Sequence, residues 1–192
     1  MCIRDSGSIE PYVDNLVIID DSIVRGTTLK ESILKILDSL HPKKIVVVSS
    51  SPQIRYPDYY GIDMPSLEEF CVFGATMQLL KERDMLHIVD DIYENCLAEL
   101  KKPRAEMRNC VRDIYTPFTV NEINQKIIEM LRPEGMTTPV ELVFQSIEGL
   151  HEAIPGHKGD WYFTGNYPTP GGTELVNRAF VSFYENKYKK RK

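Results

Sequence analysis

The stretch from Leu16 to Leu37, LVIIDDSIVRGTTLKESILKIL, constrains the fold more than any other part of the chain. A short apolar run ends in two adjacent acids, Asp20 and Asp21, passes through a small polar loop with one glycine, and enters a helical pattern. The run LVII does not alternate, which predicts a strand buried on both faces, as in a parallel sheet. Thr28 with Glu31 three residues later predicts a capping box at a helix start. Ile33, Ile36, Leu37 and Leu40 then recur at i, i+3, i+4 and i+7 and give that helix one apolar face. After the turn HPKK, Ile45 to Val48 predicts a second strand, so residues 16–48 form a βαβ unit with a right-handed crossover. The fold class is α/β.

Beyond the second strand, SSSPQIRYPDYYGIDMPS carries too much proline for a paired strand and predicts a long loop at the carboxyl edge of the sheet. In open α/β sheets that edge is where ligands sit. Helices are expected over 67–82, 92–102 and 120–131, the last opened by a Thr119/Glu122 capping box. VELVFQS, Val140 to Ser146, predicts a further strand and IEGLHEAI a short helix. The tail GDWYFTGNYPTPGG is rich in aromatics, Gly and Pro and predicts a fixed loop lying over the domain. Residues 1–11 read as a disordered leader or artefact, 12–70 as the core βαβ unit and edge loop, 71–117 as a helical insertion, 118–180 as the remainder of the domain, and 181–192 as a basic tail.

Charge and cysteine usage narrow the partners. A formal net charge of -5 and a pI near 5.4 argue against a nucleic-acid or anionic-membrane surface. No apolar run has the length of a membrane span, and the chain reads as cytoplasmic. Cys2, Cys71, Cys96 and Cys110 show no zinc-site spacing and read as reduced, mostly buried thiols. The four histidines show no metal-site spacing either. HIVDDIYENC also places two acids after an apolar stretch, but without the Gly and Thr pair, so Asp90 and Asp91 read as a helix amino-terminal cap.

The loop after Asp21 has the chemistry of an anion site. Backbone N–H groups at the helix start, the hydroxyls of Thr27 and Thr28 and the helix dipole all favour one phosphate, and Gly26 lets the backbone approach it. Asp20 and Asp21 would repel phosphate but accept hydrogen bonds from vicinal hydroxyls or help hold Mg²⁺. A sugar 5-phosphate with free ring hydroxyls suits both halves. Neither a Walker loop nor a dinucleotide fingerprint is present. Arg55 and Tyr56, in the edge loop, either line a nucleotide or sugar-phosphate pocket or are a surface Arg and a packed Tyr.

VIIDDSIVRGTT resembles the phosphoribosyl pyrophosphate (PRPP) signature of type I phosphoribosyltransferases. Together with SSPQIRYPDYYGIDMPS it resembles, more narrowly, the glutamine PRPP amidotransferases, and FTVNEINQKI, VFQSIEGLHEAI and FTGNYPTP are similar to further segments of that family. The similarity runs from about Asn15 to about Pro170, interrupted over residues 71–117. It implies a partial type I phosphoribosyltransferase sheet flanked by helices, with a helical insertion and a carboxyl-terminal tail.

The resemblance also implies roles. Asp20 and Asp21 would contact the ribose hydroxyls and the Mg²⁺ of PRPP, while Ser22, Ile23, Val24, Arg25, Gly26, Thr27 and Thr28 would wrap the 5-phosphate. The implied reaction is attack of glutamine-derived ammonia on C1 of the ribose with loss of pyrophosphate, the first step of de novo purine nucleotide synthesis. No catalytic residue is assigned. The intact enzyme is expected to be a homo-oligomer with an amino-terminal glutaminase domain. This chain has no counterpart of that domain, of the flexible loop or of the pyrophosphate loop, so it is expected to be a carboxyl-terminal fragment, inactive alone. Cys2 lacks the context of the family's nucleophile and is read as coincidence. Some members carry an iron–sulfur cluster; at three of its cysteine positions this chain has Asp58, Gly159 and Tyr162, so no cluster is expected. The rivals are a salvage phosphoribosyltransferase, disfavoured by RYPDYYGIDMPS and FTGNYPTP, and a non-catalytic PRPP-binding regulator.

Overall fold

The computed structural model describes residues 9–60, 66–156 and 159–189. Residues 1–8 of the expected leader, with Cys2, part of the edge loop (61–65) and the last residues of the basic tail (190–192) lie outside the described residues. Three strands, β1 (Asn15–Asp20), β2 (Lys44–Ser49) and β3 (Val140–Phe144), form a parallel sheet in the order β1-β2-β3. In register, Leu16 lies beside Ile45 and Val140, and Ile18 beside Val47 and Leu142. These side chains make the core face. The helical turn Leu29–Ile33, α1 (Leu34–Asp38) and α4 (Val120–Leu131) pack on it through Leu29, Leu34, Ile128 and Leu131.

The other face differs from the expectation that β1 is buried on both sides. Val17 and Ile19 are 63% and 73% exposed, and Val143 on β3 is also exposed. The apolar run is continuous, yet β1 is an edge strand here, and no described residue covers its outer face.

The first helix also departs from its expected start. Thr28 is already helical (φ -61°, ψ -39°), and its side chain makes no capping bond. The reason is Gly26: its left-handed φ of 71° turns the chain sharply, and its carbonyl accepts the Lys30 N–H at 3.0 Å, so the helix begins before Thr28. The π-helical turn at Leu29–Ile33 then rotates the buried face onto Leu29, Leu34 and Leu37 and leaves Ile36 exposed. The Thr119/Glu122 capping box, by contrast, forms as expected, with both reciprocal bonds present.

Residues 71–117 are rich in helix, and side chains such as Val72, Phe73, Ile92 and Val111 join the core. α2 (Cys71–Glu82) follows a 3₁₀ turn at Leu67–Glu69, and α3 (His87–Glu99) starts five residues before the expected 92. Asp90 and Asp91 therefore sit inside α3, not at its cap, and Asp90 accepts the Tyr184 hydroxyl at 2.6 Å. Further 3₁₀ turns follow at Arg104–Glu106 and Cys110–Ile114. Cys71, Cys96 and Cys110 are free, buried thiols.

After α5 (Ile147–Ala153) and α6 (Trp161–Thr164) comes an 18-residue helix, α7 (Pro170–Lys187), which takes in the last three residues of the expected loop and residues 181–187 of the expected basic tail. Pro170 at its first turn starts it, and Gly171 and Gly172 lie inside it. Phe180 and Phe183 of α7 pack edge-on against Phe73 of α2. The buried Asn177 ties α7 to the preceding segment: it accepts the Cys110 N–H at 3.2 Å and donates to the Arg108 carbonyl at 2.9 Å.

Candidate functional site

Strand β1 carries Asp20 and Asp21 to the carboxyl edge of the sheet. The Asp20 carbonyl accepts the Ser50 N–H at 2.8 Å, which holds the end of β1 beside the end of β2. Asp20 is half-buried and Asp21 exposed. Burial first, and then the hydrogen bond and negative charge of Asp21, raise the Asp20 carboxyl above its ordinary value of 3.8. Two adjacent carboxylates thus share one small site, and anything that brings positive charge or hydrogen-bond donors there relieves their repulsion.

The loop that follows is anchored from below. Ile23 is buried, and the Val24 carbonyl accepts the Cys71 N–H at 2.8 Å at the start of α2. Arg25 forms an ion pair with Glu69 and is turned away to the 3₁₀ turn before α2. Gly26 lies against Leu131 of α4. Thr27 and Thr28 are exposed on the first turn of the helix. All nine expected residues, 20–28, are therefore contiguous at one end of β1. Their backbone is fixed by α2 and α4, elements that sequence spacing did not connect to the loop.

The described residues contain no group of three or more His, Cys, Asp or Glu side chains able to hold a metal ion. The pair Asp20/Asp21 offers at most two carboxylates. Mg²⁺ is commonly held that way, through one or two carboxylates with water and substrate oxygens completing the shell, so the donor set fits a substrate-borne Mg²⁺. Asp58 and Tyr162, read from the sequence as replacing cluster cysteines, do meet: burial first, and then a hydrogen bond to Asp58, raise the pKa of the Tyr162 hydroxyl. The contact is oxygen to oxygen.

Arg55 and Tyr56 do not join residues 20–28. Tyr56 is buried and meets Tyr115 edge-on at 5.7 Å between ring centroids. Both Arg55 and Tyr56 line an open cleft of about 740 Å³, together with Arg108, Arg112, Asp113, Ile147 and Phe163 among others. Sequence reading found Arg55 but missed Arg108 and Arg112, because nothing in the spacing of residues 104–118 shows that they fold back against the edge loop.

Among the described residues no helix is long and apolar enough to cross a membrane. No family model matches the chain. Curated relatives do. An amidophosphoribosyltransferase of Haemophilus influenzae is 47% identical over 123 residues, covering 61% of this chain and 23% of that protein. One from Escherichia coli is 41% identical over 68 residues (35% of this chain, 13% of the relative), and one from Pyrococcus horikoshii is 42% identical over 67 (35% and 15%). The chain is thus similar to amidophosphoribosyltransferases over part of its length, and it spans less than a quarter of the length of these relatives.

Proposed function

We propose that this chain is part of an amidophosphoribosyltransferase, the enzyme that forms 5-phosphoribosylamine from PRPP and glutamine-derived ammonia with release of pyrophosphate. In this reading the protein acts in the cytoplasm, at the entry to purine nucleotide synthesis. The observation that carries it is the strand-end pair Asp20/Asp21 leading into a loop whose Gly26 turn starts a helix, in a chain similar to enzymes of that name.

The 5-phosphate of PRPP would lie against the backbone of residues 22–28 and the hydroxyls of Thr27 and Thr28, where the helix dipole stabilises negative charge. Asp20 and Asp21 would accept hydrogen bonds from the ribose hydroxyls and share the Mg²⁺ that arrives with PRPP. When bound, that ion offsets charge on the departing pyrophosphate. The transition state resembles an oxocarbenium ion, so the contribution of these residues is to hold the ribose in place. The glutaminase domain and a homo-oligomeric assembly belong to the intact enzyme in the same reading. No iron–sulfur cluster is assigned, since Asp58, Gly159 and Tyr162 supply no thiolate. A salvage transferase is disfavoured, because the relatives named above are amidophosphoribosyltransferases.

Calorimetric titration of the chain with PRPP in the presence of Mg²⁺ tests this. Binding is expected, weakened at least about tenfold by Asp21→Asn, the loss of one charge-assisted hydrogen bond or more. Equal affinity in the variant would remove the role assigned to Asp21. Pyrophosphate release from PRPP and ammonia, measured on the intact protein with its glutaminase domain, then separates an enzyme from a PRPP-binding regulator, which releases none.

A further inference from the structure

The cleft beyond the edge loop has its own chemistry. Three arginines, Arg55, Arg108 and Arg112, face a single carboxylate, Asp113, so the cleft has an excess of two positive charges in a chain whose net charge is -5. Asp113 is taken by Arg108, at 3.1 Å. Among the described residues neither Arg55 nor Arg112 pairs with a carboxylate, and both are held by neutral amides. Arg55 donates from Nε and Nη2 to Gln53 Oε1 at 3.0 and 2.6 Å. Arg112 donates from Nη1 to Asn166 Oδ1 at 2.9 Å.

The support for Arg55 is built in depth. Gln53 is buried and donates to Asn124 Oδ1 at 2.7 Å, which fixes the oxygen that Arg55 uses. The Arg55 guanidinium lies over the Tyr115 ring, 4.9 Å from its centroid, and the Tyr115 hydroxyl donates to the Arg55 carbonyl at 2.8 Å. An amide oxygen and an aromatic face orient a guanidinium without cancelling its charge. A carboxylate would have neutralised it. Such placement leaves charge and donors free for an incoming anion, which the guanidinium fork binds in two-point fashion.

We propose that this cleft binds a small phosphate monoester, with its dianion on Arg55 and Arg112 and a planar or apolar body against Ile147 and Phe163. The excess of two positive charges matches a dianion, and the volume is that of a small-molecule site. The site is separate from the one formed by residues 20–28, none of which lines it.

Phenyl phosphate is a suitable probe, with phenol and inorganic phosphate as controls, titrated calorimetrically into the chain. Phenyl phosphate should bind, inorganic phosphate more weakly, and phenol not at all. Arg112→Gln should weaken binding about tenfold, the scale of one charge-assisted contact. Arg112 is exposed and its one described polar partner is Asn166, so this variant keeps the fold even where Arg55→Gln/Arg112→Gln does not. Thr28→Ala, in the other loop, should leave phenyl phosphate affinity unchanged while weakening PRPP. No binding by the wild-type chain, unchanged affinity in Arg112→Gln, or a loss caused by Thr28→Ala would each overturn the assignment. Inorganic phosphate binding as tightly as phenyl phosphate would overturn its apolar half.

Discussion

A Cβ built on Gly26 would come within 2.5 Å of Leu131 Cδ1, so the turn that starts the first helix and the last residue of α4 are fitted to each other. The same glycine has a φ of 71°, which an L side chain adopts at a cost. Gly26→Ala should therefore lower stability by about 1–2 kcal/mol. Adding Leu131→Ala should not restore it, since the extra room leaves the left-handed backbone as it was. Urea unfolding of the single and double variants measures both effects.

Asp20 should titrate above its ordinary value of 3.8, and Asp21→Asn should bring it down, because one of its causes is the neighbouring acid. The linkage has a definite sign. A carboxyl raised in the folded state holds its proton more tightly there than in the unfolded chain, so its unfavourable contribution is absent below 3.8, grows as pH rises towards the folded value, and is complete above it. Asp21→Asn should thus be more stable than wild type at neutral pH while binding PRPP more weakly. Carboxyl carbon NMR titration and thermal melts at several pH values check the two halves separately.

Glu122 should behave in the opposite way. The Thr119 backbone N–H first, and then the Arg83 guanidinium, hold its carboxyl down at about 2. The stability it gives is present above its ordinary 4.5 and is lost as pH falls through about 2. Thr119→Ala should cost about 1 kcal/mol by removing the acceptor for the Glu122 N–H, with the difference read by urea unfolding at neutral pH.

Asn177→Ala should be among the most damaging single substitutions, at about 2–3 kcal/mol, because it strands the buried Cys110 N–H and the Arg108 carbonyl together. A melt shows the loss. The cleft should suffer with it, since Asn177 holds the backbone from which Arg108 projects; phenyl phosphate affinity measured well below the melting temperature reports that coupling.

Cys71, Cys96 and Cys110 should be silent to a thiol reagent in the folded chain, since all three are buried and burial raises the Cys71 thiol to about 12. In a Cys2→Ser background, native protein should react with almost no reagent and urea-unfolded protein with three equivalents.

What was legible in the sequence was local. Asn15–Asp20 and Lys44–Ser49 announced themselves as apolar runs, and Thr119 with Glu122 marked the start of α4 to the residue. The pattern at Thr28 and Glu31 was the same in letters, but Gly26 two positions earlier took over the start of that helix through its backbone. The helix from Pro170 was masked by a Gly pair that in most contexts breaks one; Pro at the first turn was the signal that favoured it. The carboxylate pair and its loop could be read because they are consecutive. The arginine cleft could not, because Arg55 and Arg112 come to line one cleft only once residues 104–118 have folded back onto the edge loop.

That last helix also sets an order in time. Cys110 waits 67 positions along the chain for the Asn177 side chain that satisfies it, and Phe73 waits longer still for Phe180. During synthesis β1 and β2 can pair early with the helix between them packed on one face, whereas α2, α3 and the arginine cleft stay unfinished until α7 has left the ribosome.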